Sequence, residues 1–152
     1  MSIGAKLKEL NISLEEAGQN TSRFIPVNQT GNLVYTSGQV CAKNGELVST
    51  GKLGSEVSIE AGQKAAEQSI IRCLSVLKDH LGDLNRVKKV VKVLAFVQSA
   101  DDFYDQPTVV NAASDLLKAV LGEKGEHARS AIGVNTLPNN ASVEIEIIVE
   151  VE

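Results

Sequence analysis

Residues 89–98 read KVVKVLAFVQ, and the placing of apolar side chains in this run decides what the chain can build. Val91, Val93, Ala95 and Val97 fall on one side of an extended strand. Val90, Leu94 and Phe96 fall on the other side, interrupted only by Lys92. A strand that is apolar on both sides has to be covered on both sides. A long helical pattern precedes it. Ser58 is placed to cap that helix, Glu60 sits in its first turn, and Ala66, Ile70, Cys73, Leu77 and Leu81 recur every three or four residues until Gly82 ends it. A second helix starts near Pro107 and runs through TVVNAASDLLKAV, with Val110, Ala113, Leu117 and Val120 or Leu121 as its buried stripe. Two helices can cover one face of a four- to six-stranded sheet, not both. The uncovered apolar face predicts a homo-oligomer. An N-terminal segment folded over that face is the alternative.

The last two strands carry the charges of interest. Val143, Ile145, Ile147, Val149 and Val151 alternate with Glu144, Glu146, Ile148, Glu150 and Glu152. The odd positions are expected to pack on the helices and the even ones to form a carboxylate-bearing face, partly covered at Ile148. In the preceding strand, Ile132 and Val134, with Ser130 in phase, are expected to face the helices. Arg129, Ala131, Gly133 and Asn135 would then share the other face, where small residues leave room beside the arginine. A hairpin centred near Asn139 would oppose Arg129 to a position near Val149 and leave Glu144 about 16 Å away along the sheet. A site containing both would have to be assembled between neighbouring subunits.

Upstream, RFIPVNQTGNLVYTSGQV (residues 23–40) gives two strands around a turn at Thr30–Gly31–Asn32, and KNGE (43–46) gives a further hairpin turn. Residues 1–20 read as a helical appendage: GAKLKEL, then SLEEAG, where Ser13 and Glu16 have capping-box spacing. Residues 21–152 form the single main domain.

With 152 residues, 43% hydrophobic and 22% charged, the chain has an ordinary globular composition. A net charge of −4, aromatics at 3% and no Trp argue against nucleic acid as a partner, since neither phosphate attraction nor base stacking is supplied. Cys41 and Cys73 lie in no metal or redox spacing and read as buried thiols of a reducing compartment. The N-terminus MSIGAKLKEL has no apolar signal-type core, and no run is apolar enough to span a membrane, so a cytoplasmic location is expected. No metal site or Gly-rich phosphate loop is evident. Taken alone, Asn111 shares a helix face with Asp115 and Lys118 and reads as solvated. Ser37 before Gly38 reads as a strand end, and His127 as a structural or rim histidine. His80, near the end of the first helix, suits the helix dipole.

Three stretches nevertheless match a known pattern. ARSAIGVNTLPNNASVEIEIIVEVE (128–152) has an Arg-Ser pair, Leu-Pro eight and nine residues on, and a Val-Glu-Ile-Glu strand. It closely resembles the C-terminal signature of the RidA/YjgF family of reactive-intermediate deaminases, also called the endoribonuclease L-PSP family. GNLVYTSGQV (31–40) and TVVNAASDLL (108–117) resemble that family's early strand and second helix, and the order and spacing agree over residues 23–152. HARSA and the extra N-terminal helix are similar to its longer-chain subgroup. The resemblance implies an α+β, chorismate-mutase-like fold, with a mixed sheet backed by two helices. It further implies a homotrimer with a barrel-like core and three interfacial clefts. The implied activity is cofactor-free hydrolysis of 2-imino acids, formed from enamines, to 2-keto acids and ammonia.

Carried over, Arg129 is the family's carboxylate-clamping arginine, whose planar fork donates two parallel hydrogen bonds. Glu144 is its water-positioning glutamate. Ala131 stands where the family often has cysteine acting through its backbone carbonyl, and Ser37, Gly38 and Asn111 match cleft positions. Phe24 stands where the family has a tyrosine, so the cleft hydroxyl is missing. The implied partners are small 2-imino or 2-keto acids and two further copies of the chain. A small-carboxylate-binding regulator with little turnover is the alternative reading, and an endoribonuclease or translation inhibitor a more remote one.

Overall fold

The computed structural model describes residues 1–16, 18 and 20–152. Its longest strand, β6 (Val87–Gln98), lies between an antiparallel neighbour, β8 (Val143–Val151), and a parallel one, β7 (Ala128–Val134). Beyond β8 come β2 (Leu33–Thr36) and then β1 (Val27–Thr30), giving the order β1-β2-β8-β6-β7. The two-residue β3 (Gln39–Val40) also pairs with β8, further along it than β2. A parallel neighbour needs a crossover, and α3 (Gln106–Leu121) supplies it between β6 and β7. The hairpin expected near Asn139 is therefore not formed: β6 separates β7 from β8. The result is an α+β fold with a mixed sheet, and α2 (Ile59–Leu81) and α3 pack side by side on one face.

Local sequence accounts for the helix ends. The Ser58 hydroxyl accepts from the Ala61 N–H at 3.2 Å, and Gly82, at φ 79°, closes α2. All five residues of the expected α2 stripe are buried. Two polar positions, Ser69 and Cys73, tie α2 to β8: the hydroxyl donates to the Val143 carbonyl and the thiol to the Ile145 carbonyl, both at 3.3 Å. Burial pushes the Cys73 thiol up to about 12.

Strand β6 departs from simple alternation. Its register against β8 shifts between Val87 and Lys89 and again between Val90 and Lys92. Each shift inserts a residue and turns the chain over. Val90 consequently opposes Val149 on the helix side and is buried, while Val91 is only half-buried; the expected phase for these two is reversed. From Val93 onward the expectation holds: Val93, Ala95 and Val97 are fully buried opposite Ile147, Ile145 and Val143. Lys92, Leu94 and Phe96 look out on the other face beside Ile148, Glu146 and Glu144.

The N-terminal turns fall where read. Thr30 pairs with Leu33 around Gly31–Asn32, and β4 (Ala42–Lys43) joins β5 (Glu46–Leu47) through Asn44 and Gly45, at φ 53° and 80°. Helix α1 (Ile3–Glu9) is capped by Ser2 and buries Ile3 and Leu7 in the common core. Ser13 to Glu16 are not helical, so their capping-box spacing starts no helix; Ala17, next in that run, lies outside the described residues. Glu15 instead accepts from the Asn44 N–H at 2.8 Å and pairs with Arg72 at 3.4 Å.

Opposite α2 and α3, the sheet presents Leu33, Tyr35, Leu94, Phe96, Ile132 and Ile148, with Tyr35 41% and Ile132 43% exposed. Among the described residues no helix is long and apolar enough to cross a membrane.

Candidate functional site: two half-sites on opposite faces of the sheet

Arg129 lies near the start of edge strand β7, level with Val93 of β6. Val93 faces the helices, so Arg129 does too; the expected phase of β7 is inverted, with Arg129, Ala131 and Gly133 on the helix side and Ile132 on the open side opposite Phe96. The physical reason is the close approach of α3 to this edge. A Cβ on Gly133 would run into the Gln106 side chain, so small residues belong under the helix. Arg129 passes up beside α3, where its Nη1 donates to Asn111 Oδ1 at 2.9 Å and to Ser114 Oγ at 3.2 Å. Ser114 Oγ lies 2.8 Å from His127 Nε2, and His127 Nδ1 lies 2.6 Å from the Gly125 carbonyl oxygen. These groups border a cleft of about 380 Å³ that Asp115, Lys118 and Glu126 complete. Among the described residues Arg129 has no ion pair. A half-buried guanidinium held only by neutral acceptors keeps its charge available to an anion.

Glu144 is the centre of a second cluster. Its Cα lies between Val40 of β3 and Phe96 of β6, and its side chain is on the open face. Half-burial, and next the negative charge of Glu146, raise its pKa above the usual carboxylate range. Gly38 sits against it: a Cβ there would fall on the Glu144 carboxylate. The space exists because the ladder along β8 is broken. Pairing with β2 ends at Tyr35–Ile148 and resumes in β3 at Gln39–Ile145, while the Thr36 hydroxyl accepts from the Ile147 N–H at 3.0 Å in between. Ser37 turns outward in this gap. Its N–H donates to the Pro26 carbonyl at 2.8 Å and its hydroxyl to the Ile25 carbonyl at 2.7 Å, tying down the segment that carries Phe24. The Phe24 side chain is 62% exposed.

The residues singled out in the sequence thus fall into two groups. Arg129 is joined with Asn111, which is exposed but bonded to it rather than merely solvated, and Ala131 follows on the same face. Gly38 lies against Glu144, and its neighbour Ser37 ties down the backbone at Ile25, next to Phe24. The groups do not meet in one chain. Arg129 and Glu144 are two strand spacings of about 4.8 Å and three residues of about 3.3 Å apart, and they point to opposite faces. The sequence pattern does not mark Ser114, and it reads His127 as a structural or rim histidine. The available signal for Ser114 was its position three residues after Asn111, on the same helix face. Among the described residues no group of three or more His, Cys, Asp or Glu could hold a metal ion. A larger groove, about 830 Å³, runs along the outer sides of α2 and α3 and shares only Asn111 and Asp115 with the Arg129 cleft.

The sequence profile of the family described as Endoribonuclease L-PSP matches residues 7–151. The chain belongs to this family, the YjgF/RidA family. It is 38% identical to Protein TCP17 of Trypanosoma cruzi over 149 residues, 97% of this chain and 93% of that one. It is 32% identical over 143 residues to the 2-iminobutanoate/2-iminopropanoate deaminase of Dermatophagoides farinae, covering 93% of this chain and 95% of that one. Among solved structures, the protein Atu1372 of Agrobacterium tumefaciens, described as of unknown function, superimposes with a TM-score of 0.93 at 41% identity, covering 99% of this chain and 94% of that one.

Proposed function

We propose that the protein is a cofactor-free hydrolase of reactive 2-imino and enamine acids, working at clefts between the subunits of a homotrimer. The observation that carries this reading is Arg129, a half-buried cation with two neutral acceptors and, among the described residues, no carboxylate partner. In this reading a substrate carboxylate takes the place left for an anion, and the imine carbon is held a fixed distance from it. The enamine first tautomerises to the imine. Water oriented by Glu144 of a neighbouring copy adds to the imine carbon, forming the C–O bond as the C=N π electrons move to nitrogen. One water proton passes by way of the carboxylate to nitrogen, giving the carbinolamine; its hydroxyl proton then follows the same route as the C=O bond forms and the C–N bond breaks, so ammonia leaves with a 2-keto acid behind. The raised pKa of Glu144 suits a group that takes and returns a proton. The kinship with a deaminase of 2-iminobutanoate and 2-iminopropanoate supports the substrate class.

The uncovered apolar face supports the trimer, because another copy of the sheet would bury it. The placement of Arg129 and Glu144 on opposite faces supports a site shared between chains. The test is to generate 2-iminobutanoate in situ and follow its decay. Wild type should accelerate it, and Arg129→Ala should lose at least about a hundredfold. Equal rates with the two proteins would remove the reading.

A second reading is favoured by one observation. Phe24 brings no hydroxyl, and the Ser37 hydroxyl is engaged with the Ile25 carbonyl, which leaves few polar groups for chemistry beside Glu144. A regulator that binds small carboxylates with little turnover would show calorimetric binding of 2-keto acids that Arg129→Ala abolishes and Glu144→Ala leaves intact.

A further inference from the structure

Arg129 does not hold its position by itself. Its Nη1 reaches two acceptors on α3, and one of these, Ser114, is the middle member of a chain that continues through His127 to the backbone at Gly125. The direction of each bond in that chain follows from its end. The Gly125 carbonyl only accepts, so His127 Nδ1 must be the donor. In the neutral ring Nε2 is then an acceptor, so the Ser114 hydroxyl spends its single proton on Nε2. The Ser114 oxygen is thereby left to accept from Arg129 Nη1, as its 3.2 Å separation requires.

With Asn111 Oδ1 as the other acceptor, both hydrogens of Nη1 are used. Among the described residues Nε and Nη2 have no hydrogen-bond partner. In a planar guanidinium the Nε–H and one Nη2–H run parallel, on the side away from Nη1. This is the edge that a carboxylate takes in a side-on, two-bond pairing. The surrounding charges do not compete for it by ion pairing: Asp115, Lys118 and Glu126 border the cleft, and none is paired with Arg129.

We infer that Ser114 and His127 are positioning residues: they lock Nη1 through a chain of fixed polarity, so that Arg129 presents its Nε/Nη2 edge to the substrate carboxylate. The inference rests on the carboxylate-clamp reading of Arg129 and adds which edge binds and what sets it. Hydrogen bonds to a charged group outweigh neutral ones. Loss of the Ser114 link therefore releases the guanidinium to rotate and lowers the share of molecules with the correct edge forward.

The test has two arms on the full-length protein. Nitrogen NMR of the histidines at about pH 8, above the ordinary imidazole range, should find His127 as the Nδ1–H tautomer, the reverse of the form free histidine prefers. Titration with 2-oxobutanoate, a stable 2-keto acid, should shift the Arg129 Nε–H resonance. Ser114→Ala and His127→Phe should each weaken that binding about tenfold with an unchanged melting temperature, and Ser114→Thr, which keeps the hydroxyl, should restore it. An Nε2–H tautomer at His127, or binding by Ser114→Ala and His127→Phe within about twofold of wild type, overturns the inference while the clamp reading stands. Wild type that shows the Nδ1–H tautomer but binds no 2-oxobutanoate overturns the clamp reading, and the positioning role with it.

Discussion

The carboxyl of Glu144 is the side chain whose surroundings most directly set a measurable property. Burial first, then the charge of Glu146, make its proton harder to remove. If Glu144 must be ionised to take a proton from water, the acid limb of kcat/KM for imine hydrolysis lies above the ordinary carboxylate range. Glu146→Gln should move that limb to lower pH, and Glu144→Gln should abolish it together with most of the activity. A limb unmoved in Glu146→Gln would count against Glu144 as the group observed. Stability follows the same linkage. The folded chain holds this proton more tightly than the unfolded one, so the contribution is favourable below the ordinary carboxylate range and declines as pH rises through the raised value. Gly38 offers a second test at this scale. Gly38→Ala places a methyl where the Glu144 carboxylate lies; that half-exposed side chain can swing aside, so stability in a denaturant titration should change by less than about 1 kcal/mol while kcat falls at least tenfold.

At the scale of elements, α2 is held to β8 through a buried hydroxyl and a buried thiol, with Cys41 buried elsewhere in the same core. Neither cysteine should react with a thiol reagent in the native protein, and both should react once it is unfolded. Rapid labelling of Cys73 in the native state would show that α2 lifts from the sheet. The elements themselves were largely legible in the sequence. Ser58 and Gly82 bound α2, Pro107 falls at the start of α3, and the alternation of residues 143–151 appears intact in β8, because each of these signals is local. The phase of Val90 and Val91 was not legible, since it depends on two register shifts that only the pairing with β8 defines. The orientation of Arg129 was hidden for a similar reason. Small neighbours at Ala131 and Gly133 read as an open pocket floor, whereas both face the helix side and Gly133 lies against the Gln106 side chain of α3. The sequence does not mark Ser114, and it gives His127 only a structural or rim reading, because the bonds that link His127 through Ser114 to Arg129 join α3 to the chain entering β7. The family pattern points to Arg129, Ala131 and Asn111 as site candidates. What supports them came only with the fold.

For the whole molecule, the division of the site is the deciding feature. The arginine stands on the helix side of an edge strand and the glutamate on the opposite face, two strands away. A monomer of 16.2 kDa would carry two separate halves, so the active species should sediment as a trimer, and dissociation should cost activity before it costs secondary structure. The same division also makes a genetic forecast. On the proposed trimer, Arg129→Ala and Glu144→Gln should each disable every cleft in their own pure assemblies. If the two inactive proteins are unfolded together and reassembled in equal amounts, some clefts take their arginine from one chain and their glutamate from the other. Random mixing in a closed ring makes roughly one cleft in four complete, so two null alleles should complement to about a quarter of normal activity. A site lying within one chain could never be rescued in this way.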